Sequence, residues 1–224
     1  MGEEIRNAKK AGATVIGSVF GARKEEFIAA AVGMEKAGVD AVELNLSCPM
    51  LKEVWRLGHN PELTKGIVRG VKSNVSVPVF SKLPGNTYVP NLLEVARAAE
   101  KAGADGITLA NTFPGLALDI NASRPILGDR VGGLAGPGIK PLTLRLVYEA
   151  YKVVGVPIIG CGGISSASDA IEYFLAGASA VQIGTGIMYK GVEIFEEICE
   201  GTRSFMREKG FKEVKEMVGL AHSP

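Results

Sequence analysis

Three copies of one word constrain this chain more than any other feature. Ala37-Gly38-Val39-Asp40-Ala41-Val42, Ala102-Gly103-Ala104-Asp105-Gly106-Ile107 and Ala176-Gly177-Ala178-Ser179-Ala180-Val181 each end a helical stretch on Ala-Gly and open an apolar run. A second word alternates with the first, as Val77-Pro78-Val79 and Val156-Pro157-Ile158. Glycine stops a helix cleanly, and a strand buried on both faces is apolar almost throughout. The repeated unit is therefore helix, turn, parallel strand, with helices covering the sheet. Regular repetition favours a barrel over an open sheet.

Hydrophobic period places strands at 14–20, 40–44, 77–82, 106–110, 156–160 and 180–184. Helices are expected over 2–11, 25–36, 61–71, 91–101, 141–153, 168–175 and 192–209, with one short helix in the tail from 212. Asn60 is the predicted N-cap of the third helix and Pro61 its first residue. Six strands are found where a closed (β/α)8 barrel has eight. The expectation is an α/β fold of the TIM-barrel family, an incomplete barrel of about six β/α units. It forms a single domain over residues 1–224, N-terminally short, with two strands missing ahead of residue 1. Residues 111–139 hold Pro114, Pro125 and Pro137 and no sustained period, so a long functional loop is expected there.

Composition narrows the function. Hydrophobic residues make up 46% and charged residues 22%, enough for a large core. A net charge of +1 gives no electrostatic footprint for nucleic acid or an acidic membrane. The charged N-terminus is no signal peptide and no apolar run reaches membrane-spanning length. Three cysteines without a C-x-x-C pair, and only two histidines, make no zinc or iron–sulfur ligand set. A soluble protein of the reducing cytoplasm is expected.

Chemistry-bearing residues gather at predicted strand ends. Asn45, Ser47 and Cys48 follow Ala41-Val42-Glu43-Leu44, and Pro49 ends the ladder. A lone cysteine is by default a small core residue; at the carboxyl end of a barrel strand, beside an amide and a hydroxyl, it suits a nucleophile or general base. Lys82 ends an otherwise apolar strand, and either snorkels at the rim or meets an anionic group or a carbonyl. Asn111 and Thr112 suit a flat polar heterocycle or a simple cap. Gly160-Cys161-Gly162-Gly163 and Gly184-Thr185-Gly186 follow the last two strands, where an eight-fold barrel holds phosphate. Glu43, Asp119, Asp129 and Asp169 form no paired arrangement of the glycosidase kind, and Asp169 reads as a helix-dipole partner.

These residues together resemble a known family. Asn45-Leu46-Ser47-Cys48-Pro49, Lys82-Leu83, Asn111-Thr112, Gly132-Gly133-Leu134-Ala135-Gly136, Gly162-Gly163-Ile164 and Gly184-Thr185 stand in the order found in class 1 dihydroorotate dehydrogenases. They are similar too to the pyrimidine-binding flavin barrel of dihydropyrimidine dehydrogenase. The resemblance covers nearly the whole chain, as the third to eighth β/α units of a flavin barrel. It implies FMN as cofactor and oxidation of dihydroorotate to orotate, with a pyrimidine as the small-molecule substrate. It implies Cys48 as the base at C5 and Lys82 beside the flavin ring, favouring its anionic reduced form. Asn45, Ser47, Asn111 and Thr112 would hold the pyrimidine. Asn86, Gly133, Gly162, Gly163, Gly184 and Thr185, with Lys82, would hold the flavin.

Two departures from the family keep other readings open. Met50 stands where the family continues with an asparagine that holds orotate, or with histidine in dihydropyrimidine dehydrogenases. The family's first two units, with further substrate and flavin contacts, are not in this sequence. The alternatives are a uracil or thymine dehydrogenase-like subunit and a non-catalytic half-barrel. Re-oxidation by NAD would require a partner electron-transfer subunit with an iron–sulfur cluster and FAD. Open sheet edges predict a homo-oligomer, which a stable, well-folded monomer on size exclusion would contradict.

Overall fold

The computed structural model describes residues 2–47 and 52–223; Cys48 and Met50, both singled out above, lie outside them. The chain divides into two units. One comprises Met1–Leu83, Thr87–Thr108 and Val153–Pro157, the other Pro84–Asn86, Leu109–Lys152 and Ile158–Pro224.

The first unit alternates helix and strand: α1 (Gly2–Lys10), β1 (Ile16–Val19), α2 (Lys24–Ala37), β2 (Ala41–Asn45), α3 (Lys52–His59), α4 (Pro61–Lys72), β3 (Val79–Lys82), α5 (Val89–Lys101) and β4 (Gly106–Leu109). The strands are parallel and neighbour one another in chain order, β1-β2-β3-β4. Ile107 N–H then donates to the Pro157 carbonyl at 3.0 Å. Side chains alternate across a strand. Val42, Leu44, Val79 and Ile107 are fully buried and share one face with the apolar sides of α2, α4 and α5, among them Phe27, Ile67, Val68, Leu92 and Val95. Glu43, Lys82 and Thr108 point to the other face.

Carboxylates join the two sequence words. In the first copy Gly38 caps α2 in the left-handed region, at φ 95°, which a side chain would resist. Asp40, two residues on, accepts the Val15 N–H at 2.9 Å and Lys9 Nζ at 2.7 Å. In the second copy Asp105 accepts the Val79 N–H and Lys72 Nζ, both at 2.7 Å. Three residues ahead of each glycine, Glu35 accepts the N–H groups of Ser76 and Val77, and Glu100 those of Gly155 and Val156. Each carboxylate satisfies backbone donors just where a strand begins. The third copy has Ser179 in place of the aspartate.

The second unit contains β5 (Phe113–Leu116), β6 (Leu118–Asp119), β7 (Arg124–Pro125), β8 (Val131–Leu134), α6 (Lys140–Tyr151), β9 (Ile158–Cys161), α7 (Ala167–Ala176), β10 (Ala178–Gln182), α8 (Gly186–Lys190) and α9 (Ile194–Lys209). β9 and β10 pair in parallel. Within 111–139 the expected structureless loop is instead two antiparallel ribbons, β5 with β8 and β6 with β7. Their pairing takes up backbone groups that a bare loop would leave to water. α3 was not anticipated, and the tail holds two 3-10 turns, Val214–Glu216 and Leu220–His222, in place of one helix. β1 is not the fully buried strand expected. Ile16 and Ser18 face outward and Ile16 is 44% exposed, because β1 pairs on one side only among the described residues. No described helix is long and apolar enough to cross a membrane.

Candidate active site

In the first unit the polar residues converge on the carboxyl ends of β2, β3 and β4. Register places Asn45 beside Lys82, and Lys82 beside Thr108. The Asn45 side-chain oxygen accepts the Ser47 hydroxyl at 2.8 Å and the Ser47 N–H at 3.3 Å, an Asx turn that shapes the chain leading to Cys48. Leu46 N–H donates to the Lys82 carbonyl at 3.1 Å, so β2 and β3 stay paired up to that turn. Ser47 is 2% exposed, a packed hydroxyl rather than a surface one.

Lys82 is not a rim lysine. Its side chain is 17% exposed, and its ammonium lies 3.5 Å from Glu43 Oε1. Glu43 is itself 5% exposed, and its other oxygen accepts the Thr108 hydroxyl at 2.8 Å. Pairing a cation with an anion offsets part of the cost of burying either. Glu43 is the residue that sequence reasoning passed over. One signal for it existed: a carboxylate inside an apolar strand, two residues before Asn45 and so on the same face.

In the second unit the glycine turns approach one another. Gly162 and Gly163 follow β9 at φ 132° and 73°, consecutive positions where a side chain is strained. A Cβ on Gly163 would stand 2.8 Å from the Lys140 backbone nitrogen. One on Gly186, the first residue of α8, would stand 2.8 Å from the Ile164 carbonyl. One on Gly136 would stand 3.2 Å from the Tyr189 hydroxyl and 4.0 Å from Thr185 Oγ1. Gly184 has open space where its Cβ would be. Asn111 and Thr112 follow β4; the Asn111 side-chain oxygen accepts the Thr112 N–H at 2.7 Å, and Thr112 packs on Gly133. Asn86 is half-buried, one residue past Gly85, whose Cβ would meet the Asn111 carbonyl at 3.0 Å.

A polar frame holds these turns. Tyr173, fully buried, donates to the Gly162 carbonyl at 2.7 Å and bonds the Thr143 hydroxyl. Burial pushes its phenol well above the usual tyrosine range. Asp169 is more than the dipole partner expected. Burial alone would raise its carboxyl, but Lys140 at 2.7 Å, the Ser165 N–H and the hydroxyls of Ser166 and Ser165 outweigh it and hold the group at about 2. The bond to Asp169 raises Lys140 in turn.

The family model for dihydroorotate dehydrogenase matches residues 2–206. The chain belongs to the dihydroorotate dehydrogenase family. It is 51% identical over 221 residues to the catalytic subunit of dihydroorotate dehydrogenase B (NAD(+)) from Thermoplasma volcanium, covering 98% of this chain and 72% of that one. The subunits of the same name from Methanothermobacter thermautotrophicus and Pyrococcus furiosus are 48% and 49% identical, covering 93% and 92% of this chain and 69% and 68% of theirs. Among solved structures, dihydroorotate dehydrogenase from Eimeria tenella superposes with a TM-score of 0.75 in complex with ferulenol, at 23% identity, and 0.77 in ligand-free form, at 22%. Each superposition covers 90% of this chain, and 58% and 60% of the respective solved chain. The fold is that of the dihydroorotate dehydrogenase barrel, in six parallel β/α units.

Proposed function

We propose that this chain carries the FMN-dependent oxidation of dihydroorotate to orotate; the relatives it matches are named as dihydroorotate dehydrogenases. The observation that carries the proposal is the pairing of Asn45 with Lys82 across β2 and β3. It sets an amide, a half-buried ammonium and the Ser47 hydroxyl at one strand end, directly ahead of Cys48.

FMN fits the residues present. Two successive left-handed glycines after β9 bend the backbone as anion-binding turns do, and Gly184 leaves room for a ligand. Gly133, Gly162, Gly163, Gly184 and Thr185 would hold its phosphate and ribityl chain, with Asn86 and Lys82 at the ring. When bound, FMN supplies the two-electron acceptor. Lys82 then contributes a fixed positive charge that favours electron-rich flavin. Cys48, as thiolate, takes the C5 proton of the dihydropyrimidine onto its sulfur. Asn45 and Asn111 hold the amide and carbonyl edge, with Ser47 and Thr112 beside them.

Electrons would leave through a partner subunit carrying an iron–sulfur cluster and FAD, in line with relatives named as catalytic subunits of an NAD(+) enzyme. Self-association is part of the same proposal. Met50, in place of the family's asparagine, supports one second reading, a dihydropyrimidine without the carboxylate as substrate. The purified protein is expected to take up FMN and turn yellow, and anaerobic dihydroorotate to bleach it faster than dihydrouracil does. Faster bleaching by dihydrouracil would favour the second reading; no FMN uptake would defeat both.

A further inference from the structure

Glu43 has no place in the reaction as proposed, yet it is the most deeply buried carboxylate described in the first unit, 5% exposed. It sits on β2 one side-chain layer before Asn45. Its two oxygens face different partners, Lys82 at 3.5 Å on β3 and Thr108 at 2.8 Å on β4. Three adjacent strands thus hold one carboxylate in place through an ammonium and a fully buried hydroxyl. A carboxylate serving only the fold gains nothing from this position, since an apolar residue of similar volume is commonly as stable there. What it does change is the charge delivered by Lys82. An ammonium beside a flavin ring stabilises electron-rich flavin, and an anion 3.5 Å from that ammonium would cancel part of its field at low dielectric.

We propose that Glu43 is a positioning residue for Lys82, the counter-charge that fixes its ammonium and sets how strongly it favours reduced flavin. This rests on the reading that FMN binds beside Lys82. It makes the triad Glu43, Lys82 and Thr108 a device for tuning the redox potential.

The test is the midpoint potential of bound FMN, measured by dye equilibration in the wild-type protein, E43Q and E43D. Glutamine keeps the shape and the bond from Thr108 and removes the charge, so the E43Q potential is expected to move positive. Aspartate keeps the charge, so E43D should stay near wild type. An E43Q potential unchanged or more negative, or an equal shift in E43D, would overturn the inference. If wild-type FMN is bleached by dihydroorotate while the E43Q potential stays put, this inference fails and the proposed function stands. If wild type takes up no FMN, both fail. A flavin-free readout covers an E43Q protein that does not load. K82M should lower the melting temperature by depriving a buried carboxylate of its counter-charge, and K82M with E43Q should recover part of that loss. Losses that merely add would refute the coupling.

Discussion

Lys82, Glu43 and Asp169 show how far single side chains take their chemistry from partners distant in sequence. Lys82 draws its fixed position from Glu43, 39 residues earlier. Asp169 draws its low proton affinity chiefly from Lys140, 29 residues earlier, and from two serines beside it. The sign of the latter effect is testable. The Asp169 carboxyl is held at about 2 in the folded chain against an ordinary 3.8, so the stability it contributes is fully present above about pH 4. It is lost as pH falls through the folded value. D169N is therefore expected to be less stable than wild type at neutral pH by urea denaturation, with the gap closing as pH falls from 4 toward 2. A gap independent of pH would show that the aspartate acts by shape alone. At this scale the placement of Asn45, Ser47, Lys82, Asn111 and the glycines at strand ends was legible in the sequence, because position at a strand end is local information. Glu43 was not, because its meaning lies in two other strands.

Elements were legible where their signals are local. Asn60 and Pro61 announced α4, and the Asn60 side chain accepts the N–H groups of Glu62 and Leu63 as an N-cap should. Gly38 and Gly177 end their helices in the left-handed region. The ribbons of 113–134 were hidden because β5 and β8 pair across 14 or more intervening residues, with prolines and glycines that read as loop. The repeated words were visible, but the carboxylates that tie one to the next were not. Glu35 and Glu100 hold the segments ahead of β3 and β9, each through two backbone N–H groups. E35Q and E100Q are each expected to lower the urea midpoint, since an amide oxygen is a weaker acceptor than a carboxylate. The double variant should lose the sum, the two sites sharing no partner. Midpoints indistinguishable from wild type would show that the strands set their own ends.

For the whole molecule, family membership rests on a match to residues 2–206 and on relatives about half identical to it, while the chain spans 68–72% of those relatives' length. The barrel family was legible because the repeated Ala-Gly and Val-Pro words mark five of the six units. β1 pairs on one side only among the described residues, and β10 likewise. Whether Cys48 is the base of a flavin-dependent pyrimidine oxidation is decided by single-turnover flavin reduction. FMN-loaded wild type and C48S are mixed anaerobically with dihydroorotate and the flavin absorbance is followed. Both should retain FMN, with reduction in C48S slowed by roughly 10²–10⁴-fold, the usual contribution of a general base. Near-normal reduction in C48S, or wild-type flavin that stays oxidised, would contradict that role.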